Sequence, residues 1–114
     1  VQIKRIQEQI KKFPTIEQTI KEKEKGDPEF SQAMGRARLR VAIARAIRTA
    51  REKSGLTQTQ LADALGMKQA QIGRLESLKD KRLPSIDLLV RITAVTHRKL
   101  VVDQPKYRLE LVAK

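Results

Sequence analysis

Lys68, Gln69, Ala70, Gln71 and Arg74 lie within seven residues of one another, in the stretch TQTQLADALGMKQAQIGRLE at 57–76. The side chains of Gln and Arg can do one kind of recognition chemistry well. Gln pairs in bidentate fashion with the edge of adenine, and Arg with that of guanine. Helical periodicity is what would bring these residues to one surface. A pattern from Lys68 or Gln69 to Glu76 puts Ile72 and Leu75 inward and leaves the polar residues outward. A preceding pattern, opened by Thr57, puts Leu61, Ala62 and Leu65 on one face. The two are separated by a tight turn at Gly66-Met67, where a residue without Cβ reaches positive φ easily. Such a pair of helices can set the second in the major groove while the first crosses the backbone. Leu61, Leu65, Ile72, Leu75, Leu89 and Ile92 are read as core.

Charge points the same way. The 114-residue chain carries 25 Lys and Arg against 13 Asp and Glu, a net +12. Residues 1–30 hold seven basic and six acidic residues, so a net +11 falls on the remainder, with the two-helix pattern. An excess of this size favours a polyanionic partner. No apolar run approaches the ~20 residues needed to span a bilayer, and no signal-peptide pattern is seen, so no membrane association is expected. The chain has no Cys, which removes disulfides and thiolate metal sites and suits a reducing, cytoplasmic location.

No catalytic constellation is found. His97 is the only histidine and reads as a surface or helix-end residue. Asp63 and Asp87 read as solvent-facing or capping. The expectation is a non-enzyme with no cofactor and no metal.

The remaining elements follow from periodicity and punctuation. Ile3, Ile6, Ile10 and Phe13 make an amphipathic helix ending near Pro14. Thr15 and Gln18 form a capping-box pattern for a second short helix, which the charged run KEKEKG closes at Gly26. Asp27-Pro28 reads as an N-cap with proline at the first helical position. A long helix then runs to about Lys53, striped by Phe30, Met34, Ala37, Val41, Ala44 and Ile47. Its polar side is rich in arginine: Arg36, Arg38, Arg40, Arg45, Arg48 and Arg51. Ser54-Gly55 ends it. Ser85 caps a last helix with Ile86, Leu89, Ile92 and Val95 inward. Lys99–Asp103 and Tyr107–Val112 have strand character, and alternation puts Tyr107, Leu109 and Leu111 on a half-buried face.

The segments REKSGLTQTQLADALGM, QAQIGRLE and LPSIDLLVRI resemble the helix-turn-helix of the Xre/Cro/phage-repressor family over roughly residues 41–97. The resemblance implies a mainly α, lambda-repressor-like domain at 27–98, with an N-terminal helical arm at 1–26 and a short C-terminal β-hairpin within 99–114. It implies that Gln69, Ala70 and Arg74 read bases. It places Gln58, Lys68, Gln71, Lys79, Lys81 and Arg82 at the DNA backbone or at base edges, and pairs Arg51 with Glu76 across core helices. Members commonly bind palindromic operators on double-stranded DNA as homodimers. The DPEF at 27–30 and KLVV at 99–102 are similar to segments of HigA-type antitoxins. That likeness implies a RelE-like toxin as partner, with Ile3, Ile6, Ile10 and Phe13 as its candidate contact. A stand-alone phage-type or chromosomal repressor, and a coactivator-like adaptor resembling multiprotein-bridging factors, are the alternatives.

Overall fold

The computed structural model of the protein describes residues 15–104 and 107–112. The stripe Ile3, Ile6, Ile10 and Phe13 lies outside the described residues. Those described fold into five helices followed by a two-stranded hairpin: α1 (Ile16–Gly26), α2 (Pro28–Lys53), α3 (Gln58–Leu65), α4 (Gln69–Ser77), α5 (Ile86–Thr96), β1 (Leu100–Gln104) and β2 (Tyr107–Leu111). This is the mainly helical, lambda-repressor-like architecture with a C-terminal hairpin that the sequence implies. The described residues divide into two compact units, one up to Arg36 and one from Ala37 on.

In the first unit, the Thr15 hydroxyl accepts from the Gln18 amide and the Gln18 side chain accepts from the Thr15 amide, which opens α1. Asp27 Oδ1 accepts from the Phe30 amide at 3.1 Å and caps α2. The Lys23 ammonium sits 4.6 Å from the centre of the Phe30 ring.

The second unit holds the core. Ile47, Leu61, Ile72, Ile92, Leu100 and Val102 are its most deeply buried large apolar residues. They come from α2, α3, α4, α5 and β1. α3 packs on both α4 and α5, and β2 lies against α5. The C-terminal half of α2 buries Ile43, Ala44, Ala46, Ile47 and Ala50, a wider stripe than Ala44 and Ile47 alone.

Two expectations for the last elements are corrected. Ile86 does not point inward: it is 70% exposed at the first position of α5. Thr93 and Thr96 take the buried arc instead. Their hydroxyls donate to the Val90 carbonyl at 2.6 Å and the Ile92 carbonyl at 2.8 Å, which removes the cost of burying them. In the hairpin, Leu109 is 47% exposed, although it stands opposite Val102 in the antiparallel register. The buried strand residues are Leu100 and Val102, each 1% exposed, with Leu111 half-buried opposite Leu100.

Candidate nucleic-acid interface

Two left-handed glycines frame the helix pair. Gly55, with φ of 75°, ends α2, and the amides of Gly55 and Leu56 donate back to the carbonyls of Glu52 and Arg51. Thr57 then opens α3 with a reciprocal capping box to Gln60. Gly66, with φ of 69°, ends α3 in the same way, its amide and that of Met67 donating to Asp63 and Ala62. Arg91 reinforces this end by donating to the Leu65 carbonyl at 2.6 Å. Ala62 and Ile72 are fully buried. A small residue on α3 and a branched one on α4 thus sit within the packing of α3 on α4, and this packing fixes how α4 is held.

The outer face of α4 is exposed at Gln69, Ala70, Gln71 and Arg74, as is Lys68 at its N-cap. Gln71 is partly engaged, its side-chain oxygen accepting from the Lys68 amide at 2.9 Å. Arg74 has no such local tie to the backbone among the described contacts. A cavity of about 300 Å³ lies beside it, lined by Gln71, Arg74, Asp80 and Arg82 over Met67, Leu75 and Leu88. It brings Arg74 and Arg82 onto one surface.

A hydrogen-bonded relay runs from the interior to the start of α4. Arg51 donates through Nε to Glu76 Oε2 at 2.8 Å and through Nη2 to Glu76 Oε1 at 2.9 Å. Its Nη1 donates to the Leu56 carbonyl at 3.0 Å. The Arg51 and Glu76 side chains are only 13% and 4% exposed. The bond to Glu76 raises the Arg51 pKa above its ordinary value, so the guanidinium stays charged. Gln58 Nε2 then reaches Glu76 Oε1 at 3.4 Å, and Gln58 Oε1 accepts from Gln69 Nε2 at 2.7 Å. A buried ion pair therefore orients Gln58, and Gln58 orients the Gln69 amide at the exposed first turn of α4. A Cβ on Gly73 would sit 3.5 Å from both Gln58 Oε1 and Gln69 Nε2. A methyl fits there, and anything larger meets the Gln58–Gln69 bond.

Lys79, Lys81 and Arg82 are exposed on the loop after α4. Leu78 enters that loop in the left-handed region, with φ of 64°. Asp80 Oδ1 accepts from the Arg82 amide at 3.0 Å. Arg40 reaches across to the Lys81 carbonyl at 3.5 Å. Arg40, Asp80 and Arg91 shape this surface without having been singled out as such in the sequence. Arg40 is hidden in a run of arginines, and nothing in the spacing links Arg91 to Leu65, 26 residues away. Of the other arginines of α2, Arg48 pairs with Glu52 at 2.9 Å, which lowers the Glu52 pKa. His97 is exposed and closes α5 in the left-handed region.

Among the described residues, no group of three or more His, Asp or Glu is placed to hold a metal, and no helix is long and apolar enough to cross a membrane. Residues 47–101, just under half of the chain, match a helix-turn-helix family model. No curated protein and no solved structure gives a significant match. The match supports the Xre-type, lambda-repressor-like family and a DNA-binding transcription regulator in general, and is to a regulatory domain rather than an enzyme family.

Proposed function

We propose that this helix-turn-helix chain is a sequence-specific repressor that binds a palindromic operator as a homodimer. Gln69, Ala70 and Arg74 read base edges from α4. Gln58, Lys68, Gln71, Lys79, Lys81 and Arg82 hold the DNA backbone or the outer base edges. Backbone contacts set register and affinity, and base contacts set sequence choice. The observation that carries this reading is the relay Arg51–Glu76–Gln58–Gln69, which presents an amide in a fixed direction at the exposed end of α4. A side chain held before binding loses less conformational entropy on meeting its base. Ala70 offers only a methyl contact, for instance to thymine.

Selection of bound duplexes from a randomised pool tests this. It should return a twofold-symmetric site with half-sites one helical turn, about 34 Å, apart. A pool that returns no shared sequence would overturn the reading.

In the finer form of the proposal, the chain is the antitoxin of a type II toxin–antitoxin pair, neutralises a RelE-like ribonuclease and represses its own operon. The DPEF and KLVV segments support it. Residues 1–26 are then the arm that meets the toxin, through Ile3, Ile6, Ile10 and Phe13, while 27–98 reads DNA. Growth rescue of cells expressing such a toxin should need residues 1–26, and operator binding should not. Rescue by a chain starting at Asp27 would remove the arm from this role.

A further inference from the structure

A groove of about 460 Å³ runs along the C-terminal half of α2 beside the start of the hairpin. Ala42, Ala46, Ala50 and Val101 give it an apolar floor, and Arg45, Lys53, Arg98 and Lys99 give it cationic walls. Asp103 is the single acidic residue among the described lining residues. Arg45 and Lys53 lie eight residues apart on one wall, about 12 Å along the helix. Arg98 donates to the Lys53 carbonyl at 3.2 Å, which draws Lys53, Arg98 and Lys99 together at the C-terminal end of α2.

The groove belongs to a different surface from the base-reading one. At 3.6 residues per turn, Ala42, Arg45, Ala46, Thr49 and Lys53 lie about 120° or more around α2 from Arg51. Arg51 is the residue that reaches Glu76 on α4. A duplex seated on α4 therefore leaves the groove open.

We infer that this groove docks an acidic amphipathic helix of a partner protein. The floor of alanine and valine, with the Thr49 hydroxyl beside it, offers mainly van der Waals area, which suits a stripe of apolar side chains. The walls suit carboxylates flanking that stripe. A phosphate backbone would use the walls and leave the floor unfilled. Among the described lining residues none is an aromatic that could stack an unpaired base. Three cations at one end and Asp103 in the lining give the groove a polarity. The acidic flank of the incoming helix lies against Lys53 and Arg98, and competes with Glu110, 3.8 Å away, for Lys99. The long cationic side chains are steered by charge, so association is fast and weakens with salt. A second copy of this chain is a poor occupant of the groove, since none of its described helices is acidic beyond a single net charge.

The test uses the full chain and a fluorescein-labelled 18-residue helical peptide with leucine on one face and glutamate on both flanks. Matched peptides carry lysine flanks or a scrambled order, and a 20-base-pair duplex carrying the selected site is a separate probe. The glutamate peptide should bind, with amide shifts at Ala46, Thr49 and Val101. Arg45→Glu/Lys99→Glu should weaken it at least tenfold. Thr49→Trp, an exposed helix-surface change, should block it. Duplex binding should be unchanged in Thr49→Trp, and any loss in Arg45→Glu/Lys99→Glu should be equal on the selected and a shuffled duplex, as a change in net charge alone requires. The inference is overturned if the peptide fails to bind, or binds both variants as well as the wild type. It is equally overturned if the peptide shifts residues of α4 instead, if the duplex rather than the peptide shifts the groove, or if self-association lost on Thr49→Trp accounts for the signal.

Discussion

Glu76→Ala should destabilise the chain by about 3–5 kcal/mol, because it strands a largely buried guanidinium. Arg51 would keep its bond to the Leu56 carbonyl and a 3.9 Å contact with the exposed Glu52 carboxylate, losing both bonds to Glu76 at 2.8 and 2.9 Å. Its side chain is 13% exposed, so water cannot fully replace them. A loss of this size lowers the melting midpoint by more than 10 °C, taking about 4–8 °C per kcal/mol for a small domain. Urea unfolding measures it, and a Glu76→Ala chain within about 0.5 kcal/mol of the wild type would contradict the assignment. Arg51→Met/Glu76→Leu separates stability from recognition. Exchanging a buried pair for apolar residues is often neutral or stabilising. The double variant should therefore fold, yet bind the operator more weakly, because Gln58 no longer has Glu76 to hold it.

Leu100→Ala should cost about 2–5 kcal/mol, as expected for emptying a closed apolar site. Leu100 is 1% exposed and belongs to the same cluster as Ile47, Leu61, Ile72 and Ile92. The hairpin is thus part of the core of residues 37–114. Leu109→Ala on the partner strand should change stability by no more than about 1 kcal/mol, since Leu109 is already about half in water. Deleting residues 99–114 removes Leu100 and Val102 together and should leave a chain that unfolds at far lower denaturant. Equal midpoints for Leu100→Ala and Leu109→Ala would show that the hairpin does not complete the core.

The helix pair α3 and α4 is legible in the sequence because its punctuation is local. Thr57, Gly66 and the apolar set Leu61, Leu65 and Ile72 each carry their own signal within one or two turns. The capping box at Thr15 is legible for the same reason, whereas Thr57 reads only as a helix start and its reciprocal bond with Gln60 is seen in the structure. What was not legible depends on partners distant in the chain. Thr93 and Thr96 read as polar until their hydroxyls are seen returning to the backbone of their own helix. Leu78 carries no glycine-like mark for its positive φ. Alternation in 107–111 is real, but a two-stranded hairpin covers only part of one face, so Val102 is buried while Leu109 opposite it is not. The Gln58–Gln69 bond joins residues on two helices, and its length and direction emerge only from the way α3 and α4 cross.

The central claim is that α4 reads bases while the loop after it holds phosphates. Binding isotherms of Gln69→Ala, Arg74→Ala and Lys81→Ala, on the selected duplex and on a shuffled one, test it most directly. Gln69→Ala and Arg74→Ala should each lose about 1–3 kcal/mol on the selected duplex and almost nothing on the shuffled one. Lys81→Ala should weaken both alike and reduce the salt slope by about one, since the log–log slope follows about −0.9 per phosphate neutralised. Equal losses for all three variants on both duplexes would contradict base reading by α4.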